Sequence, residues 1–433
     1  MPRRFCLGTL ILTLCLSANA WGQPFDPDLP PIRYWESTPE NAVSRLMASL
    51  ESGKQSLPFD PKHGYLPAIL KRLSIPEASQ VLVFSKTSLQ QRQISPKTPR
   101  AIYFNDDTYV GWCLGGEVLE ISTADPQLGA VFYSLSQDEV AKPKLIREYD
   151  RCALCHASRS NHQGVPSHLI RSVTTRGDGF PDLSLFRMVN HTTPIAKRWG
   201  GWYVTGYYRA REHMGNRLPR GGVSPGESVL DLSGLIRTSN YLQPTSDFIA
   251  LMVLEHQAEG HNRLAKANML TRSAIHDGEG IRKALELKEH EELGSTRVRI
   301  REACEPLVEY LFFCDEATLF GPFSEDTDFV QEFRNRGPKD RSGRSLREFD
   351  LDNRLFRYPL SYLVYSEAFA KLPPEAQTYV HRRMGEVLLG KDASPKFAHL
   401  TPELRLAIRQ ILIDTMPKLP KAWDTPEFRR ANP

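Results

Sequence analysis

Residues 108–135, TYVGWCLGGEVLEISTADPQLGAVFYSL, decide the fold class. Three short runs, TYVGWC, EVLEIST and GAVFYSL, are rich in β-branched and aromatic residues, which suit a pleated surface. Gly115-Gly116 and Asp125-Pro126 separate them with turn chemistry. Two similar runs come first, QVLVFSK (80–86) and RAIYFN (100–105). Residues 79–145 therefore read as an antiparallel β unit. Within it, Asn105-Asp106-Asp107 reads as a hairpin turn rather than a calcium site, because Asn and Asp side chains cap their own turns.

On either side the pattern changes. Residues 21–78 form a Pro-rich polar arm around one helical segment, TPENAVSRLMASLESG (38–53). From Ser246, an N-cap candidate, SDFIALMVLEHQAEGHNRLAKANMLTRSAI (246–275) is apolar almost all round at first, the mark of a buried helix. Further helical patterns cover 278–294, 297–315, 359–371, 373–389 and 401–415, and 321–350 reads as a loop. A strand pair is expected in WGGWYVTGYYR (199–209). The whole is α+β. An N-terminal arm (21–78), a β-rich unit (79–145), a cysteine-bearing region (146–240) and a helical region (241–433) follow one another.

The first twenty residues read as a cleaved export signal. MPRR is a basic start, FCLGTLILTLCLS an apolar core, and Ala18-Asn19-Ala20 a cleavage site before Trp21. Cleavage removes Arg3 and Arg4, so the formal charge of +4 falls by two to +2. That balance excludes nucleic acid and anionic membranes as obvious partners. No later apolar run reaches the roughly 18 residues that span a bilayer. The expected location is the periplasm or another extracytoplasmic space, with no transmembrane anchor after cleavage.

Of seven cysteines, Cys6 and Cys15 leave with the signal. Cys113, Cys152, Cys155, Cys304 and Cys314 remain, an odd number that builds no disulfide framework for so long a chain. If 302–314 is one helix, Cys304 and Cys314 stand about 15 Å apart, too far for a bridge; a break at Pro306 would leave a bridge open, the less favoured reading. Cys152-Ala-Leu-Cys155-His156 is different. C-x-x-C-H is the attachment pattern of haem c. Two thiols one helical turn apart meet the two vinyl groups, and the adjacent histidine lies beneath the iron. Chance would produce the pattern on the order of 0.003 times in such a chain. A structural zinc site needs a second ligand pair, and none is present. A thioredoxin-type dithiol needs a βαβ setting. One motif implies one covalent haem c per chain.

The sixth iron ligand decides the role. Met214, in REHMGNRLP, is the first choice for the distal position. His162, His168, Met188, His191, His213, Met252 and His256 are the others. Pro166 could offer its carbonyl to the proximal imidazole, and Arg171 could pair with a propionate. Trp199, Trp202 and Tyr203 could wall the haem edge. In LEHQAEGHN (254–262), Glu255 and Glu259 share a helix face with His256 and His261 nearby, either as a second site or as structural pairing.

Taken together, PRAIYFNDDTYVGW, GGEVLEISTADPQLGAVFYSL, CALCH, GVPSHLIRS, WGGWYVTG, HMGN, LMVLEHQ and RSLREFDLDNRLFRYPLSYLVYSEAF resemble an uncharacterised bacterial family of exported cytochrome c domain-containing proteins. The resemblance covers about 80–425. It implies one c-type haem on Cys152, Cys155 and His156, export, and no established reaction. Ala157, where small cytochromes c carry glycine, departs from their pattern. The expected function is electron transfer with a redox partner protein or a small donor or acceptor. The alternative is a haem c oxidoreductase with an exchangeable sixth position. A haem-based sensor is the third possibility.

Overall fold

The computed structural model describes residues 25–160, 162–206, 212–219, 229–288, 293–319, 321, 323 and 325–430. The expected export signal lies outside them, as does part of 199–209.

Six strands form one antiparallel sheet in sequence order: β1 (Val81–Val83), β2 (Arg100–Phe104), β3 (Thr108–Trp112), β4 (Val118–Asp125), β5 (Gly129–Ser136) and β6 (Leu145–Glu148). The first five match the sequence expectation. The hairpin turn at 105–107 forms as expected: Asn105 Oδ1 accepts from the amides of Asp107 and Thr108. Strand β6 has only four residues, and one of them, Leu145, is buried, so its pattern is too short to read.

Alternation along β4 divides the sheet into two unlike faces. Leu119, Ile121 and Thr123 are buried on one side, while Glu120 and Ser122 stand half-buried on the other. The first face carries Ala101, Tyr103, Val110, Leu119, Val131 and Tyr133 into a core shared with the N-terminal arm. The arm contributes α1 (Ala42–Glu51) and α2 (Leu66–Arg72). Asn41 caps α1 through a capping box with Ser44 and also donates to Asp125 Oδ2 at 3.1 Å. Asp125 in turn shapes the β4–β5 turn by accepting from Gln127 and Leu128. One carboxylate thus joins arm and hairpin. Tyr34 Oη adds a 2.6 Å hydrogen bond to the Ala130 carbonyl.

The second face is covered only in part. Val81, Val83 and Tyr109 pack against α4 (Phe248–Ala284), a single helix of 37 residues, about 55 Å long. It runs through the helix expected at 246–275 and into the first residues of the one expected at 278–294, ending at Ala284. Asp247, not Ser246, is its N-cap, accepting from the Ala250 amide at 2.8 Å. Ser246 Oγ instead donates to the Tyr203 carbonyl and accepts from the Leu82 amide, fastening β1 to the 203 segment. Short α3 (Asp150–His156) follows β6, and a second hairpin, β7 (Arg171–Thr175) with β8 (Pro181–Met188), follows α3. The expected strand pair at 199–209 is replaced, over its described part, by isolated bridges such as Val83–Trp202 and Thr205–Asp247.

Around α4 lie α5 (Gly294–Leu311), α6 (Asp328–Asn335), α7 (Glu367–Ala370), α8 (Pro374–Leu388), α9 (Pro402–Thr415) and α10 (Pro426–Arg429). Pro306 sits inside α5 without ending it. The expected loop 321–350 contains α6, capped by Thr327. The expected helix at 359–371 is a 3-10 turn (Tyr362–Tyr365) followed by α7. Cys304 and Cys314 are buried and unbridged. No helix of the described residues is long and apolar enough to cross a membrane.

Gly129 is where sheet, cavity strip and α4 meet. Its φ is +63°, and a Cβ there would lie 2.7 Å from Ala265 Cβ and 3.0 Å from the Pro166 carbonyl oxygen. Both atoms are held rigidly. Gly129→Ala should destabilise the protein by about 1–3 kcal/mol through backbone strain and overpacking. Urea unfolding with an unchanged m-value would measure it.

Candidate functional site

Helix α3 places Cys152, Cys155 and His156 on one side, as i, i+3, i+4 spacing dictates. No residue of α3 is fully buried by its own surface. Beyond it the chain reverses through left-handed residues His162, Gln163 and Gly164, with φ of 46°, 62° and 90°. The reversal sets Ser167 beside His156. The Ser167 amide donates to the His156 carbonyl at 2.9 Å, and His156 Nδ1 donates to the Ser167 carbonyl at 2.8 Å. Pro166, expected in that role, accepts from the Ala130 amide instead. The double pairing of 156 with 167 moves the acceptor one residue on.

A carbonyl can only accept, so Nδ1 carries the proton and Nε2 the lone pair. Burial pushes the His156 imidazolium down to about 4, against the Ser167 hydrogen bond that pulls it up. The ring is neutral at pH 7, as a metal ligand requires. Burial likewise holds the Cys152 thiol up at about 12, aided by Glu148 and Glu120.

The three residues open on a cavity of about 500 Å³ between α3 and the partly covered sheet face, within the range of cofactor sites, about 300–1,000 Å³. Its floor is Ile102, Tyr109, Gly111, Glu120, Ser122 and Phe132. The His156 ring packs 4.6 Å from Phe132. Arg100 crosses the floor to Glu120 at 2.6 Å. Gly111 leaves the room: a Cβ there would stand 2.1 Å from the guanidinium. Ser88 Oγ donates to the same carboxylate at 2.7 Å. Arg171 lies over the Phe186 ring at 4.7 Å. Buried Arg100 Nε, Arg171 Nε and His168 Nε2 all border this space without a hydrogen-bond partner. The lining mixes apolar side chains with Lys86, Arg100, Arg151 and Arg171 and the carboxylates Glu117, Glu120 and Glu148, and the unpartnered Arg171 Nε is free to meet an acceptor oxygen.

Of the expected wall aromatics, only Trp202 borders the cavity, donating from Nε1 to the Arg171 carbonyl at 2.7 Å. Trp199 packs on His213, and Tyr203 on Phe84 in the arm-side core. Met214 stands off the wall, its sulfur 3.7 Å from Ser172 Oγ. His162 pairs with Glu259 at 3.2 Å. His191 and His256 share a proton between their Nδ1 atoms, 2.8 Å apart, deep among Tyr310 and Phe313. Met188 and Met252 are likewise outside the lining. His168 alone among those candidates borders the cavity. Asn262 grips it from α4, accepting from its amide at 2.7 Å and donating to its carbonyl at 2.8 Å.

The LEHQAEGHN residues are drawn apart to separate partners. Glu255 meets Arg198 at 3.1 Å, Glu259 meets Arg263 at 2.7 Å, and His261 accepts from Tyr109 Oη at 3.0 Å. Among the described residues no group of histidine, cysteine and carboxylate side chains could hold a metal ion. Sequence reading missed Arg100, Tyr109 and Glu120. The strand alternation that puts Leu119 and Ile121 inward already assigns Glu120 and Ser122 to the opposite face.

Comparison with known proteins finds no match, whether among family models, curated proteins or solved structures.

The buried histidines make stability depend on pH. Burial holds His261 down at about 4 and His256 at about 3. Unfolded histidine titrates near 6.5, so the unfolded chain binds the extra protons first, and this stability is lost as pH falls below about 6.5. Buried Asp247, held up at about 6, and Glu316, at about 7, act with opposite sign as pH rises. Glu255, also held up at about 7, joins them, yet His156, His213 and His381, each held down at about 4, keep the depressed histidines in the majority. Calorimetry should give a lower Tm at pH 5 than at pH 7, and His261→Gln should reduce the difference.

Proposed function

We propose that this chain is an exported c-type haem protein that passes single electrons, its one haem held covalently at Cys152 and Cys155. The observation that carries the reading is the His156–Ser167 pair. It presents a neutral imidazole, with Nε2 unprotonated, to a cavity of cofactor size lined on one side by both cysteines. When bound, the haem supplies a one-electron iron centre. Each thiol would add its S–H across one vinyl double bond, leaving a thioether and losing no atom. His156 would be the proximal ligand, oriented by the Ser167 carbonyl as second-shell acceptors orient ligating histidines. Arg171, stacked on Phe186 and lacking a carboxylate partner among the described residues, would take a propionate.

The surface position of α3 suits electron transfer. Leu154 is 81% exposed, and Ile146 and Tyr149 are exposed as well, so a haem held on α3 would lie near the surface a docking partner meets. The expected export signal agrees with haem attachment outside the cytoplasm. A haem oxidoreductase is the second reading, and the methionine-free cavity wall among the described residues favours it.

Expression with the native leader beside a haem-attachment system tests the proposal. The mature chain should begin at Trp21 by N-terminal sequencing. Its haem should survive acid–acetone extraction and give a thioether-type pyridine haemochrome. Cys152→Ala/Cys155→Ala should lose all covalent haem. If that double variant still carries haem through extraction, or the parent carries none, the reading is wrong.

A further inference from the structure

We infer that a haem seated on His156 keeps its sixth coordination position for a small exogenous ligand, held beside the Arg100–Glu120 pair. This rests on haem attachment at the site above and deepens its second, oxidoreductase reading rather than the electron-transfer one.

The imidazole sets the direction. Its Nδ1 faces the Ser167 carbonyl, so Nε2 points away from residue 167 and into the cavity. His168 is the next residue, and Asn262 clamps it at both backbone groups. Its ring turns to Ser122 Oγ at 3.2 Å and to Tyr109, 4.6 Å between ring centres. Those contacts hold its ring against Ser122 and Tyr109 on the cavity floor. No other histidine and no methionine among the described residues borders the cavity. The loop bearing His213 and Met214 is fixed elsewhere. Asn216 holds both the amide and the carbonyl of Val204 at 2.8 Å, and the Met214 amide donates to the Arg198 carbonyl. Those bonds fix the backbone of the loop, and Met214 lies outside the cavity lining.

The cavity floor offers a charged pair in place of a ligating side chain. Arg100 and Glu120 are near enough to act electrostatically on the His156 ring. The Arg100 guanidinium lies over Gly111 with its buried Nε unpartnered. Glu120 is oriented by two contacts from Ser88 Oγ, at 2.7 and 3.0 Å. Such a pair suits a diatomic or peroxide-sized ligand whose far atom gathers negative charge. Arg100 donates to that atom, and Glu120 holds Arg100 in place.

Absorption and electron paramagnetic resonance of the purified holoprotein test the inference. The ferric protein should be high-spin and turn low-spin with cyanide, and the ferrous protein should bind carbon monoxide. Arg100→Leu should keep its covalent haem and bind cyanide about 10- to 100-fold more weakly, the loss of one charged hydrogen bond. Glu120→Gln should weaken binding less. A far-red methionine-to-iron band, or a low-spin spectrum in both oxidation states that ignores cyanide and carbon monoxide, would overturn the open position. An unchanged cyanide affinity in Arg100→Leu would overturn the role of Arg100. Absence of covalent haem would instead bring down the functional reading itself.

Discussion

Everything around the cavity depends on how residues 156–168 are pinned at both ends. Two hydrogen bonds tie Ser167 to His156 on α3, and two more tie His168 to Asn262 on α4. Each pair satisfies a backbone donor and acceptor that would otherwise be buried unmet, at about 1–3 kcal/mol apiece. The strip between them is thereby held against the sheet. Its carbonyl sets the tautomer of His156, and its path closes one wall of the cavity.

The same sheet serves two opposed purposes because β4 alternates strictly. Its inward set, Leu119, Ile121 and Thr123, seals an apolar core beneath the arm. Its other set, Glu120 and Ser122, faces the cavity, where polar atoms remain useful. Helix α4 packs on the β1–β3 side of that face and touches β5 at Gly129. Covering it all would have required apolar residues at 120 and 122. Two glycines keep the arrangement open: Gly111 admits the Arg100 side chain, and Gly129 allows α4 and the 166 segment to close in.

Much of this was legible beforehand. Strands β2 to β5 announce themselves through β-branched runs and paired turn residues, and the C-x-x-C-H spacing singles out α3. The arm's helix and the buried onset of α4 were equally plain. What escaped notice depends on partners distant in sequence. Strands β7 and β8 flank a turn inside a polar stretch, so their periodicity is weak. WGGWYVTG looks like a strand because its aromatics are core residues, yet its hydrogen bonds go to scattered positions on three other segments. Spacing from His156 along the chain favours Met214 as a ligand. Position along a chain says little once a loop is locked by an asparagine such as Asn216.

The shallow seating of α3 has a further consequence. The helix contributes no fully buried residue, and its first turn lacks a side-chain cap. Segments with so little burial open at a small fraction of the global unfolding free energy. Lifting Tyr149 to Ser158 would break the His156–Ser167 pair while leaving the Asn262 clamp on His168 in place. On the proposed haem reading, a maturation enzyme could then reach both thiols on a folded substrate, so attachment need not race against folding. On that reading the protein would exist first as a stable, empty receptacle and only later as a pigment.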